Sequence, residues 1–376
     1  MALGHELAAR GHDVTLQTWS RWQPETEARG MRFAAAPEYP AFPTDARPLK
    51  PYQAVARATL ETDPLVAELV PDIVVADILT LAPALAAERH GVPVATLVPH
   101  VYPVSEHGWP PYSIGARLPR TAAGSRLWGV LDPLVTRGLE LGRSELNETR
   151  RRLELPPLDR VHGGISPELC LVATLPELEY PRTWPTHVHV VGPMHIALDA
   201  PDVEPPPGDD PLVVVAPSTV HDPGHDLLRA CLDGLADADV RVLASVGGGT
   251  PDPPLRVPTN ARVTPWLSYE RAMSAADLVI CHAGHGTLVR ALTAGAPVLA
   301  VPAAGDMNEN AARLAWSGLG LRLPRRLAGP RSIRAATLRA LGDDAIRARV
   351  RGLAPANGPG RAADLLEAFA ARRPLP

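Results

Sequence analysis

PWLSYERAMSAADLVICHAGHGTLVRALTAGAPVLAVPAAGDMNENAAR, residues 265–313, changes period four times. Asp277 to His282 is an apolar run of strand length, Gly284 and Gly286 interrupt it, and apolar residues then recur at helical spacing up to Gly295. Pro297 to Pro302 is a second buried-type strand, and Asp306 to Arg313 opens a second helix. Strand, turn and helix in repetition specify a parallel sheet covered by helices on both faces. The backbone N–H groups at a helix start, with a partial positive charge behind them, hold anions. A diphosphate suits the turn. Gly284 and Gly286 let the main chain approach it, and His282 and Thr287 carry hydrogen-bond donors. From spacing alone, two glycines that merely close an ordinary strand-to-helix turn remain an open alternative.

Outward from this stretch the same plan continues. "PLVVVA" (211–216) and "VRVLAS" (240–245) read as strands, with helices near 224–235, 284–295 and 306–317. In the first half, "HDVTLQT" (12–18), "MRFAAA" (31–36), "DIVVA" (72–76) and "PVATLV" (93–98) read as strands, with helices at Thr80 to His90 and Ser125 to Leu153. Residues 192–211 are rich in Pro, Gly and Asp and form a semi-rigid linker. The expected division is 1–191, linker 192–211, 212–354, and a terminal helix within 355–376 that packs back toward the first domain. The fold class is α/β, with two doubly wound domains; the resemblance described below implies that they face a cleft.

Composition narrows the partners. The 376 residues carry a net charge of −4, and of 37 basic residues only Lys50 is a lysine, the arginines being scattered. That distribution offers no footprint for nucleic acid. Cys170, Cys231 and Cys281 are far apart, which indicates neither a disulfide framework nor a zinc site and suits a reduced cytoplasm. No apolar run reaches the roughly 20 residues that span a bilayer. No HExxH, nucleophile elbow or Walker loop occurs, and "GHGTLV" lacks the third glycine of a dinucleotide fingerprint. "DAD" (237–239) has the spacing of a metal–diphosphate pair but sits at a helix-to-strand turn, where it reads as a solvated turn. No resident cofactor or metal is expected.

Trp266, His282-Ala-Gly284-x-Gly286-Thr287, Gly295-x-Pro297, Pro302, Asp306 and "NENAAR" together resemble the donor-binding signature of family-one glycosyltransferases, the UDP-glycosyltransferase superfamily with the GT-B fold. The similarity is greatest to the bacterial branch that glycosylates antibiotics and other natural products, and it covers essentially the whole chain. The resemblance implies that Trp266 stacks on the donor base, that His282, Gly284, Gly286 and Thr287 hold the diphosphate with Ser218 and Thr219, and that Asp306 accepts hydrogen bonds from the sugar. It implies inverting transfer from a nucleotide sugar to an apolar acceptor. Core packing of Trp266 and helix capping by Asp306 are the plainer alternatives.

Two positions depart from the family pattern. Arg290 stands where a ribose-binding Glu is common, and Met307 where the sugar-binding Asp-Gln pair has its amide. An acidic acceptor reads a 2′-hydroxyl and an amide helps to read a fully hydroxylated hexose, and Arg and Met do neither job well. The expected donor is therefore a dTDP-deoxysugar, with neutral drift at both sites as the alternative. Asp77 ends "VVAD" in the first domain, where the resemblance places the Asp that orients a histidine base. That histidine belongs to the turn after a first strand. "MALGHELAAR" instead opens inside a helix, so a native product beginning earlier is expected; His5 and His12 fall outside that turn. His100 and His107 are candidate lining residues of the acceptor pocket, or exposed loop histidines. A nucleotide-binding pseudoenzyme and a GT-B-like sugar-nucleotide epimerase are the competing functions. No oligomeric state follows from the sequence.

Overall fold

A computed structural model describes residues 1–37, 53–197, 199–217, 222, 224–247 and 250–372. α1 (Ala2–Ala9) ends before Gly11, whose φ of 92° makes the turn that glycine favours. β1 (Thr15–Thr18), α2 (Gln23–Glu27) and β2 (Arg32–Ala35) follow, β1 and β2 pairing in parallel. Next come α3 (Gln53–Leu69), β3 (Val74–Asp77), α4 (Leu81–Arg89), β4 (Val94–Val98), α5 (Ala122–Gly129), α6 (Asp132–Arg152), β5 (Cys170–Val172) and β6 (Val188–Val190). β3 to β6 form a four-stranded parallel sheet in chain order.

Two expectations need correction here. The strands of the first half make two sheets and not one, because among the described residues no strand pairs with the remaining edges of β1 and β3. The single helix expected over 125–153 is two, α5 and α6. Pro133 lies in the first turn of α6; without an N–H, and with its ring directed at the preceding turn, it can start a helix but not continue one.

The second half contains β7 (Leu212–Ala216), α7 (Asp226–Leu235), β8 (Arg241–Ser245), β9 (Ala261–Thr264), α8 (Tyr269–Ser274), β10 (Leu278–Cys281), α9 (His285–Thr293), β11 (Val298–Ala300), α10 (Asp306–Ser317), β12 (Gly320–Arg322), α11 (Pro330–Leu341), α12 (Asp344–Arg351) and α13 (Gly358–Ala371). Its sheet runs β12-β11-β10-β7-β8-β9, all parallel, which is the doubly wound order of a Rossmann domain. The alternate side chains of the central strands explain its stability. Val214, Ala216, Val279 and Cys281 pack with Leu288, Leu292 and Leu314 on one face, while Val213, Val215, Leu278 and Ile280 pack with Leu228, Leu232 and Ile333 on the other. Each such Val or Leu contributes about 1.5–3 kcal/mol when fully buried.

Strand order reverses between β7 and β10, where Ala216 is paired with Cys281. The C-terminal ends of these two strands therefore lie side by side at the point of reversal, where open α/β sheets hold ligands. The linker lies along this domain. Arg262 donates to the Glu204 carbonyl oxygen at 2.5 Å, Ser268 N to that of Pro201 at 2.8 Å, and Arg271 pairs with Asp202. α13 returns to the first half, where Ala362, Ala363 and Leu366 share an apolar cluster with Leu3, Ala95 and Leu171. Its last turns meet α1 through Arg10, which pairs with Asp364 at 2.7 Å and Glu367 at 3.1 Å.

Candidate active site

The turn between β10 and α9 is held in an unusual shape. Ala283 has a φ of 61°, a conformation that costs an alanine on the order of 1 kcal/mol or more. Asn310 of α10 secures it, its side-chain N–H donating to the Ala283 carbonyl oxygen at 3.0 Å. Gly284 then precedes the first residue of α9, and a Cβ on Gly284 or Gly286 would meet no heavy atom of the described residues within 4 Å. Among the described residues the N-terminal end of α9 is thus uncovered at these two positions, with Thr287 half-buried beside it. Trp266, two residues past β9, is 55% exposed, so it is not a core side chain. Asp306 is exposed as the first residue of α10, and its carboxylate accepts no hydrogen bond from the described residues. Met307 packs against the core face shared by Val214 and Leu288. Ser218 and Thr219 lie outside the described residues.

Behind the turn, His282 is only 2% exposed, and its Nε2 lies 3.6 Å from the Asp222 carboxylate. The sequence reading passed over Asp222. Its oxygens accept the Asp226 and Leu227 N–H groups, each at 3.1 Å, so the carboxylate anchors the start of α7 and faces His282 at once. An acidic residue in "DPGHD", just ahead of a helix, was the available signal. Arg325 closes the group, 3.3 Å from Asp222 Oδ1.

His285 reaches across the cleft. Its Nε2 lies 2.9 Å from Thr174 Oγ1, just after β5. Burial, then His100 and His195, push its imidazole down to about 3, so the ring is neutral at ordinary pH. His195 is likewise pushed down, to about 4, by burial and by Arg290. Arg290 itself donates to the Ile196 carbonyl oxygen at 3.3 Å and so ties α9 to the linker.

On the first-domain side, Asp77 ends β3, and its Oδ1 accepts the Leu79 N–H at 2.8 Å. Burial raises its pKa, while the Leu79 N–H and nearby His100 act against the rise. Tyr112 joins this wall to the other domain: its hydroxyl is 3.4 Å from His100 Nδ1, and its ring packs on the cluster that includes Met307. Burial, followed by Asp306 and Glu309, pushes the phenol pKa well up. His107 is not part of this assembly. It is 89% exposed and pairs with Asp132 at the start of α6.

A buried ionic group locks the two halves together beneath the site. Arg313 of α10, 2% exposed, pairs with Glu179 at 2.6 Å and with Glu309 at 2.8 Å, and stacks over Tyr180. Glu179 also accepts the Tyr102 N–H at 2.6 Å. Among the described residues, no three His, Cys, Asp or Glu side chains are grouped to hold a metal ion, and no helix is long and apolar enough to cross a membrane.

Residues 229–358 match the family described as "Erythromycin biosynthesis protein CIII-like, C-terminal domain". The 4'-demethylrebeccamycin synthase of Lentzea aerocolonigenes is 29% identical over 92% of this chain and 89% of its own length. The PGL/p-HBAD biosynthesis glycosyltransferase of Mycobacterium tuberculosis (strain ATCC 25177 / H37Ra) is 30% identical over 83% of this chain and 72% of its own. The solved structure of SsfS6, a Streptomyces sp. SF2575 glycosyltransferase complexed with thymidine diphosphate, superposes with a TM-score of 0.63 at 19% identity, covering 98% of this chain and 94% of that one. The parallel sheets, the crevice at the strand reversal and these similarities lead to one conclusion: the chain belongs to the bacterial natural-product glycosyltransferases of the GT-B fold.

Proposed function

We propose that this glycosyltransferase moves a deoxysugar from a dTDP donor to a hydroxyl of an apolar natural-product aglycone, with inversion at the anomeric carbon and without a resident metal. The observation that carries this reading is the open N-terminal end of α9 at the strand reversal, with Trp266 exposed nearby in sequence order at the end of β9. In this reading Trp266 stacks on the base, and His282, Gly284, Gly286 and Thr287 hold the diphosphate, with Ser218 and Thr219 as further donors. Asp306, whose carboxylate accepts no hydrogen bond from the described residues, accepts from sugar hydroxyls. As the acceptor oxygen attacks, negative charge grows on the departing diphosphate, and a preorganised helix N-terminus stabilises that charge without reorganisation.

Donor choice rests on Arg290 and Met307. The Arg290 guanidinium bonds the Ile196 carbonyl, so this position supplies a cation and no acceptor for a ribose 2′-hydroxyl. Met307 turns to the core and offers no amide to a hexose. A dTDP-deoxysugar needs neither group, and the SsfS6 complex shows the same fold holding thymidine diphosphate. Matched dTDP-deoxysugar and UDP-glucose donors, followed by product mass and by the anomeric configuration of the product, test the assignment. The expected preference is about tenfold or more in kcat/KM, the equivalent of one polar contact of ~1.4 kcal/mol, with an inverted product. A clear preference for UDP-glucose, or a retained configuration, contradicts it.

A further inference from the structure

The two faces of β4 meet different surroundings. Ala95 packs with Leu3 of α1 and Ala362 of α13, whereas Val94 and Thr96, on the opposite face, line a cavity of about 300 Å³. Its walls come from α4, α6 and the segment 158–168, and Leu81, Leu85, Leu146 and Leu158 make it largely apolar. No residue of the 282–287 turn lines it, so this space is separate from the proposed donor site.

Two arginines line the cavity, and their hydrogen bonding differs. Arg150 of α6, 2% exposed, is fully engaged: Nη1 and Nη2 donate to the two carboxylate oxygens of Glu88 at 2.7 and 2.6 Å, and Nε donates to the Pro156 carbonyl oxygen at 2.6 Å. Both oxygens of Glu88 are thereby taken. Arg160 is half-buried, and its Nη1 donates to the carbonyl oxygens of Ile165 at 2.7 Å and His162 at 3.4 Å. Its Nε and Nη2 have no hydrogen-bond partner, and its guanidinium pairs with no carboxylate, among the described residues. Those two nitrogens share one edge of the guanidinium, the kind of edge that takes a carboxylate through two parallel bonds. Burial, then Arg150, pull the Arg160 pKa down from its ordinary value, with Glu88 acting against them. The other acidic residue of the wall, Glu168, is exposed. A partly desolvated cation without a counter-charge is costly, and an anion in the cavity would relieve that cost.

We propose that this cavity binds a small amphipathic monocarboxylate, its carboxylate on the Nε–Nη2 edge of Arg160 and its apolar body among Leu81, Leu85, Leu146 and Leu158. One uncompensated cation calls for one negative charge; a phosphate dianion would bring a second charge against an apolar wall with nothing to meet it. An apolar cavity of about 150 Å³ holds benzene, so this one takes a body of roughly twice that size, a fused pair of aromatic rings or a short alkyl chain. The proposal does not depend on the transferase reading, since the two sites share no residue.

Titration calorimetry of the whole chain at neutral pH, with 2-naphthoate, decanoate and the uncharged amide of each, tests it. At least one carboxylate should bind saturably at a single site, about tenfold or more tighter than its own amide, the equivalent of one charge-assisted hydrogen bond. The tighter of the two carboxylates identifies ring or chain as the preferred body. Arg160→Gln, whose amide can still donate to the Ile165 carbonyl, should weaken the carboxylate about tenfold while leaving its amide within about twofold. Ala84→Phe places a ring in the cavity that Ala84 lines and should remove binding of both. Thermal unfolding by circular dichroism shows whether each variant is folded. Equal affinity of the wild type for a carboxylate and its amide, or no saturable binding of either carboxylate, overturns the proposal without recourse to a variant. Undiminished binding in Ala84→Phe, or displacement of the carboxylate by dTDP, puts the ligand elsewhere and overturns it as well.

Discussion

Gly286→Ala should stabilise the free protein and weaken its grip on a nucleoside diphosphate, two effects of opposite sign from one methyl group. Gly286 is the second residue of α9, its φ is not positive, and an added Cβ meets no heavy atom of the described residues within 4 Å. No clash or strain offsets the helical preference of alanine, worth about 0.5–1 kcal/mol. For a chain of this size the gain corresponds to a rise in Tm of roughly 1–3 °C. The same empty space is where the diphosphate would approach the first N–H groups of the helix. A methyl there displaces one charge-assisted hydrogen bond, about 1.5–3 kcal/mol, which is roughly a 10- to 150-fold loss of affinity. Scanning calorimetry of the free protein and titration with dTDP read the two effects separately. A lowered Tm would mean that the turn is crowded; an unchanged Kd would mean that the anion binds elsewhere.

Trp266→Ala should weaken dTDP binding by about 1–3 kcal/mol, the usual worth of a base stacked on an aromatic ring, and shift stability by less than about 0.5 kcal/mol because the ring is already 55% exposed. Titration and urea unfolding of the same variant check both halves of that statement. Glu179→Gln leaves the buried Arg313 with only Glu309 as its ionic partner and should cost about 3 kcal/mol, read as a lowered unfolding midpoint in urea. Acid should destabilise the fold through His285. Its folded pKa of about 3 lies below the ordinary 6.5, so the unfolded chain takes the proton first; this stability is present above pH 6.5 and is lost as pH falls toward 3. At pH 4.5 the loss from this one residue is on the order of 2–3 kcal/mol, and the pH dependence of unfolding should flatten in His285→Asn.

The second domain was legible in the sequence because its strands are buried on both faces and read as unbroken apolar runs, while Gly284 and Gly286 mark the turn between β10 and α9. The fold class followed from that. The first domain was less legible: which strands pair is a long-range fact, and "TLQT" or "VVAD" would look the same inside one sheet or at the edge of two. Pro133 did carry a local signal, the break between α5 and α6, that helical periodicity over 125–153 obscured. Within the site, Gly284, Gly286, Trp266 and Asp306 stood out through residue type and order. Asp222, His285 and Arg313 act through partners distant in the chain, Thr174 being 111 residues from His285 and Glu179 being 134 from Arg313, so no local pattern announces them. His100 was visible as a loop histidine, but its contact with Tyr112 depends on the fold.

The most direct test is a crystal structure of the protein soaked with dTDP. The diphosphate should lie on the backbone N–H groups that begin α9, within hydrogen-bond reach of Thr287 and His282, with thymine over the Trp266 ring. A nucleotide bound anywhere else, or density that leaves the space before Gly284 and Gly286 empty at saturating dTDP, would contradict the assignment of the 282–287 turn as the donor site.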